Sequence, residues 1–155
     1  EAWNPNIRSK TSIRTAPKKS FVDPSLAVAA LGYSKKELML DINTFGLLFE
    51  NLVNRDLSIY ASKIGGTLSH YRDRYDLECD NIIHFEDGTY ALVEIKLSGS
   101  RISEGANHLL QLKKLIDESA DIKIKPSLLM IITGTGMAYV TENGVLVIPI
   151  GCLKD

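Results

Sequence analysis

Within Val93-Glu94-Ile95-Lys96-Leu97, two opposite charges alternate with aliphatic residues. In an extended strand, side chains two apart project from one face. Glu94 and Lys96 therefore point together, and Val93, Ile95 and Leu97 line the other face. An unpaired charge buried in a sheet is costly, so such a pair needs partners or a ligand. The expected partner is Asp80. In its segment, Glu78, Asp80, Ile82 and His84 alternate with Leu77, Cys79, Asn81 and Ile83. If Glu86-Asp87-Gly88 forms a three-residue loop with Gly88 left-handed, Phe85 pairs with Thr89, Ile82 with Leu92, Asp80 with Glu94 and Glu78 with Lys96. The carboxylates of Asp80 and Glu94 would then face each other with Cβ atoms roughly 4.5–5.5 Å apart. A two-residue Asp87-Gly88 loop would shift the register by one and put them on opposite faces.

Two facing carboxylates repel, and a divalent cation removes that cost. Hard oxygen ligands suit Mg²⁺ or Mn²⁺. Such an ion polarises a phosphate and lowers the pKa of a bound water. A lysine beside it can orient that water and offset developing negative charge. For the Glu-x-Lys pattern alone, the ordinary alternative is a solvated ion pair beside an aspartate in a surface hairpin. Glu78 is expected to pair with Lys96. His70, His84 and His108 share no ligand spacing.

The elements that must hold these residues follow from periodicity. Asp23-Pro24 reads as an N-cap with Pro at the first helical position. Leu26, Ala27, Ala30 and Leu31 give that helix an apolar face, and Gly32 ends it. Ser34-Lys35-Lys36-Glu37 is a capping-box pattern opening a second short helix. From Asn43 or Thr44 to about Ile64, apolar residues recur at i, i+3, i+4 and i+7, the mark of an amphipathic helix. Thr67 to Arg72, Asp76 to Phe85 and Thr89 to Leu97 read as strands. Ser103 is expected to cap a helix running to about Ser119. Leu128 to Thr133 is a short buried strand. Ala138 to Thr141 and Val145 to Ile150 form a hairpin whose Asn143-Gly144 suggests a type I′ turn. The segment between Ser98 and Ser127 is long enough for a crossover to a parallel strand. The expected fold class is α/β: a mixed sheet, three-strand meander plus crossover strand, flanked by helices. Residues 1–43 form a basic N-terminal arm and helical lead-in, and residues 44–155 form the main domain.

The 155 residues suit a domain with a real core, at 45% hydrophobic and 24% charged. No run is apolar enough to span a bilayer, and no signal-peptide core opens the chain. It begins with Glu1 rather than Met, which points to a piece of a longer protein. Cys79 and Cys152 match no metal spacing, and together with the missing signal peptide they favour a reducing cytoplasm. The net charge of −1 is no electrostatic trap for nucleic acid. The arm is different: Arg8, Lys10, Arg14, Lys18 and Lys19 oppose only Glu1, and could contact phosphates or simply be a solvated tail. Trp3, alone in that arm, is expected to pack on an upstream module.

Taken together, these features resemble the PD-(D/E)XK nuclease superfamily over about residues 44 to 133. Its core order of helix, three-strand meander, helix and strand matches the order read above. The acidic residue of its first helix matches Glu50 in Gly46-Leu47-Leu48-Phe49-Glu50. The aspartate of its second strand matches Asp80 in Leu77-Glu78-Cys79-Asp80, and its E-x-K matches Glu94-Ile95-Lys96. Gln111 takes the place of an assisting polar residue on the following helix. The resemblance implies a restriction-endonuclease-like fold, with Glu50, Asp80 and Glu94 holding Mg²⁺ or Mn²⁺, Lys96 and Gln111 assisting, and DNA as substrate.

A second resemblance spans nearly the whole chain. Arg14-Thr15-Ala16-Pro17-Lys18-Lys19, Phe21-Val22-Asp23-Pro24-Ser25-Leu26, Thr44-Phe45-Gly46-Leu47-Leu48-Phe49-Glu50, His70-Tyr71-Arg72-Asp73 and Gly144-Val145 with Val147-Ile148-Pro149 are similar to a domain of unknown function at the carboxyl end of many prokaryotic AAA+ ATPases. It implies an ATPase module upstream that would bind ATP. Thr133-Gly134-Thr135-Gly136 lacks the length and lysine of a P-loop and reads as a turn. Three functions follow: a metal-dependent nuclease, a non-catalytic nucleic-acid-binding or regulatory module coupled to the ATPase, or a structural assembly domain. The complete set of Glu50, Asp80, Glu94 and Lys96 argues against the third. Near-neutral charge weighs mildly for the second.

Overall fold

The computed structural model describes residues 1–5 and 18–153. Arg8, Lys10, Arg14 and the motif segment up to Pro17 lie outside the described residues. Three helices lead the main part: α1 (Pro24–Leu31), α2 (Lys35–Leu40) and α3 (Ile42–Lys63). Three strands follow, β1 (Thr67–Arg72), β2 (Glu78–His84) and β3 (Tyr90–Lys96). Then come α4 (Ile102–Glu118), β4 (Leu128–Thr133), β5 (Tyr139–Val140) and β6 (Leu146–Pro149). The strands form one six-stranded mixed sheet in the order β1-β2-β3-β4-β6-β5. β1, β2 and β3 are antiparallel. β4 lies parallel to β3, and β6 parallel to β4.

The two long helices cover opposite faces of this sheet. On α3, Phe49, Val53, Leu57 and Ala61 recur every four residues and pack on Ile83, Ala91, Val93, Ile95, Met130 and Ile132. On α4, Leu109, Leu112 and Ile116 pack on Ile82, Leu92, Leu129 and Ile131. Each fully buried aliphatic side chain contributes roughly 1.5–3 kcal/mol, so these two seams hold the central strands between the helices.

Local signals set most boundaries. The Asp23 carboxylate accepts the Ser25 N–H, and Gly32 closes α1 at φ 66. The Ser34–Glu37 capping box is formed. Asp41 ends α2 and caps α3 through the Thr44 N–H. On α1, however, Ala27 is buried while Leu26 and Leu31 are exposed, so the expected apolar face is only partly covered. Phe21 and Val22 form no strand and are exposed.

Several expectations are corrected. Ser103 does not cap α4: a 3-10 turn at Gly99–Arg101 leads directly into Ile102, so the helix begins before it. The final hairpin is not type I′. Thr141 N–H donates to the Val145 carbonyl, Gly144 has φ 78, and Asn143 has no positive φ. A type I′ turn needs positive φ at both central residues, so this is a three-residue loop, Glu142-Asn143-Gly144, with only its glycine left-handed. Trp3 faces inward in this chain: it packs edge-on against Tyr71 and His84 and tilted against Tyr90. Residues 1–3 lie alongside β1, with a parallel bridge Ala2↔His70.

Candidate active site

The β2–β3 hairpin sets the position of the acidic strand residues. Gly88 has φ 82 and donates its N–H to the Phe85 carbonyl, and Phe85 N–H donates to Thr89. This is the three-residue loop, and the register follows as expected, with His84↔Tyr90, Ile82↔Leu92 and Asn81↔Val93.

Strict alternation fails one residue further. On β1, Ser69 pairs with Ile82 and Tyr71 with Cys79, so two steps on β1 span three on β2. This is a β-bulge at Asp80-Asn81, a device that re-aims a side chain. Cys79, rather than Asp80, joins Ile82 and Leu92 beneath α4. Asp80 turns its carboxylate onto β3, where Oδ2 accepts the Ile95 N–H at 2.8 Å. Asp80 lines a recess of about 500 Å³ together with Leu47, Phe49, Glu50, Lys96 and Ser98. Glu50 reaches it from α3, one residue past buried Phe49.

Glu94 lies deeper, only 2% exposed. Its carboxylate accepts from Lys96 Nζ at 3.0 Å, and Lys96 also approaches Glu104 at 3.9 Å. The Lys96 stem runs over Gly105 of α4, where an added Cβ would meet Lys96 Cε at 3.1 Å. Burial, and next the charge of Asp80, push the Glu94 carboxyl up to about 8, against the pull of Lys96. Asp80 is also raised by burial, while Lys18 opposes the rise and Glu50 adds to it. Burial pushes the neighbouring Cys79 thiol well up, and Glu94 adds to this.

Lys18 is the residue that sequence reasoning missed here. Its Nζ lies 2.6 Å from Glu50, 3.5 Å from Glu78 and 3.5 Å from Asp80. Burial alone would lower its pKa, but Asp80 and then Glu50 outweigh it and hold the ammonium above the ordinary lysine range. Glu78 therefore pairs with Lys18, and with Arg72 at 3.5 Å, and Lys96 pairs with Glu94. The only sequence sign was Lys18's place in a basic arm. Gln111 is not brought to the cluster: it is exposed on α4, between sheet-facing Leu109 and Leu112. The α4 residues near Lys96 are Glu104 and Gly105 of its first turn. His84 is engaged by Ser69 Oγ at 2.7 Å.

The donor set tests whether a cation fits. Carboxylate oxygens of Glu50, Glu78 and Asp80 surround one position, and hard oxygen donors are what Mg²⁺ or Mn²⁺ takes. The donor type is of the right class, but the position is filled by the Lys18 ammonium, and Arg72 also pairs with Glu78. Among the described residues no group of three His, Cys, Asp or Glu is arranged to hold a metal ion. No helix among them is long and apolar enough to cross a membrane.

A family model described as a domain of unknown function, DUF4143, matches residues 45–153. No curated protein and no solved structure matches the chain.

Proposed function

The chain belongs to the DUF4143 family, and from that premise we propose that it is a divalent-cation-dependent DNA phosphodiester hydrolase of the PD-(D/E)XK type, working in the cytoplasm as the C-terminal domain of an AAA+ ATPase. One observation carries this reading: Glu50, Asp80 and Lys96, from three separate elements, line one recess, with Glu94 directly beneath Lys96. When bound, Mg²⁺ or Mn²⁺ would supply a polarised phosphate and an activated water. Asp80 and Glu50 would hold the ion, with Glu94 nearest Lys96. Lys96, anchored by Glu94 and Glu104, is placed to donate to a phosphate oxygen at the recess wall. The Asp80 carboxylate is oriented by the Ile95 N–H, which leaves its Oδ1 toward Lys18.

A second reading is a non-catalytic module that holds DNA or a partner for the ATPase. The Lys18 ammonium inside the carboxylate cluster favours it, as does the net charge of −1.

Cleavage of single-stranded and duplex DNA with Mn²⁺ decides between them. The hydrolase reading expects product from the wild type and a loss of roughly 10²–10³-fold in Asp80→Asn and Lys96→Met, the scale for removing one electrostatic stabiliser. DNA retention without cleavage in any divalent cation would establish the second reading.

A further inference from the structure

We propose that the recess beside Asp80 and Lys96 seats one unpaired nucleotide of a DNA strand, with its base on the face of α3 made by Ile42, Gly46 and Leu47 and its phosphate on Arg101. The inference deepens the hydrolase reading and rests on it for the substrate class. It names that substrate as a single strand or an unpaired end, not a closed duplex.

Gly46 is the observation that points to a ligand. It lies inside α3, a helix of 22 residues, where glycine is less stable than alanine. The usual reasons for a glycine are missing. Its φ is not positive, and a Cβ built on it would meet nothing within 4 Å. Gly105 of α4 is the contrast, because a Cβ there would press on the Lys96 side chain. Among the described residues, then, nothing in the packing requires position 46 to be small. Gly46 instead lines the recess, and any larger residue would take room from whatever enters.

The walls suit a base and its phosphate. Ile42, Gly46 and Leu47 share one face of α3 at i, i+4 and i+5. Ile42 and Leu47 are 59% and 69% exposed, so the fold leaves this face apolar and open to water. Ile95 and Leu97 extend the apolar lining, and Asn43, Ser98 and Arg101 add polar groups. An apolar surface with a few hydrogen-bonding groups takes the face and edge of a base. A recess of about 500 Å³ is of the size that encloses a small ligand, and a base enters such a site only after leaving its partner. The acids of the recess are already answered, since Glu50 and Asp80 both pair with Lys18. Arg101 gives Glu104 its Nε and one terminal nitrogen. A guanidinium carries five N–H groups, so donors remain for a phosphate oxygen.

The test is fluorescence anisotropy on the full chain in EDTA, so that nothing is cleaved. The probes are a labelled oligothymidylate, a blunt duplex and thymidine monophosphate, and the proteins are wild type, Gly46→Ala, Gly46→Leu and Arg101→Gln. Urea midpoints establish that each variant is folded. Both Gly46 variants are expected to be at least as stable as wild type, because alanine and leucine are better helix formers. The wild type should bind the single strand more tightly than the duplex. Gly46→Leu should weaken single-strand binding by roughly tenfold, the scale for one seated base. Gly46→Ala should weaken it less. Arg101→Gln should weaken it and reduce the slope of log affinity against log salt by about 0.7, the value for one phosphate of a single strand. Equal affinity in wild type and Gly46→Leu, or equal affinity for single strand and duplex, overturns the proposal. So does the absence of single-strand binding up to roughly 10⁻⁴ M, the weak end of non-specific binding. Thymidine monophosphate binding as tightly as the strand also overturns it, because the seat would then serve a free nucleotide. Single-strand binding that Gly46→Leu removes, with no cleavage in Mn²⁺, would sink the hydrolase reading and leave the seat standing. Mn²⁺-dependent cleavage of duplex that Gly46→Leu does not alter would do the reverse.

Discussion

Glu94 shows how burial and neighbours turn an ordinary carboxyl into a pH-sensitive one. Its folded pKa is raised from 4.5 to about 8, by burial first and then by Asp80. The folded chain therefore binds a proton more tightly than the unfolded chain. Between about pH 4.5 and 8 the folded state holds more protons, so stability falls as pH rises through that window. Removing the titration should flatten this dependence. Urea midpoints at pH 5, 6.5 and 8 are expected to drop more steeply for wild type than for Glu94→Gln. Parallel curves would mean that Lys96 already keeps Glu94 ionised throughout. The cysteines give a second check at this scale. Cys79 is fully buried, bonded to the Asn81 and Val93 carbonyls, and has its thiol pushed up, whereas Cys152 is exposed. Because the thiolate is the reactive form, a disulfide reagent should titrate one thiol per native chain and two after unfolding. Two fast thiols in native buffer would place Cys79 outside the core.

Two hairpins use one loop design for different ends. Glu86-Asp87-Gly88 and Glu142-Asn143-Gly144 both place a left-handed glycine in their last position, at φ 82 and 78. A side chain there costs roughly 1–2 kcal/mol, so Gly88→Ala and Gly144→Ala should each lower unfolding free energy by about that much. Only the first loop sets the register that brings β2 to the acidic end of β3. Gly88→Ala is expected to weaken Mn²⁺ binding as well, and Gly144→Ala to leave it unchanged. Equal Mn²⁺ affinities in the two variants would separate the register from the site. The first loop was legible because the turn is local and glycine at its end has a physical reason. The second was misread because Asn-Gly also suits a two-residue turn, and the strand pairing of Thr141 with Val145 decided between them.

At the scale of the whole molecule, one sheet is clamped between α3 and α4, and both seams share the central strands β3 and β4. Neither helix has an independent core, so loss of one seam should be felt by the other. Leu112→Ala beneath α4 and Val53→Ala beneath α3 each empty a fully buried position. Each should cost about 2–5 kcal/mol for the leucine, and somewhat less for the smaller valine. Unfolding followed by circular dichroism and by Trp3 fluorescence should remain a single coincident transition in both. Separate transitions would show that the β1 edge, where Trp3 packs on Tyr71 and Tyr90, melts apart from the rest.

The sequence by itself determined the element order, both long helices, the caps of α1 and α2, the bounds of β1 and β4, and the loop that fixes the β2–β3 register. All of these depend on periodicity or on turn and cap chemistry within a few residues. Tertiary structure alone decided how the acidic residues meet. The bulge at Asp80-Asn81 arises because β1 must pair with β2, which no alternation within β2 reveals. It sends Asp80 toward Glu50 and leaves Cys79 in the core. The placement of Lys18 among Glu50, Glu78 and Asp80 depends on the path of a segment far from them in sequence. The exposure of Gln111 depends on which stripe of α4 the sheet covers. Short-range sterics are written in neighbouring residues, whereas which distant charges share a recess is settled only when helices and strands have packed.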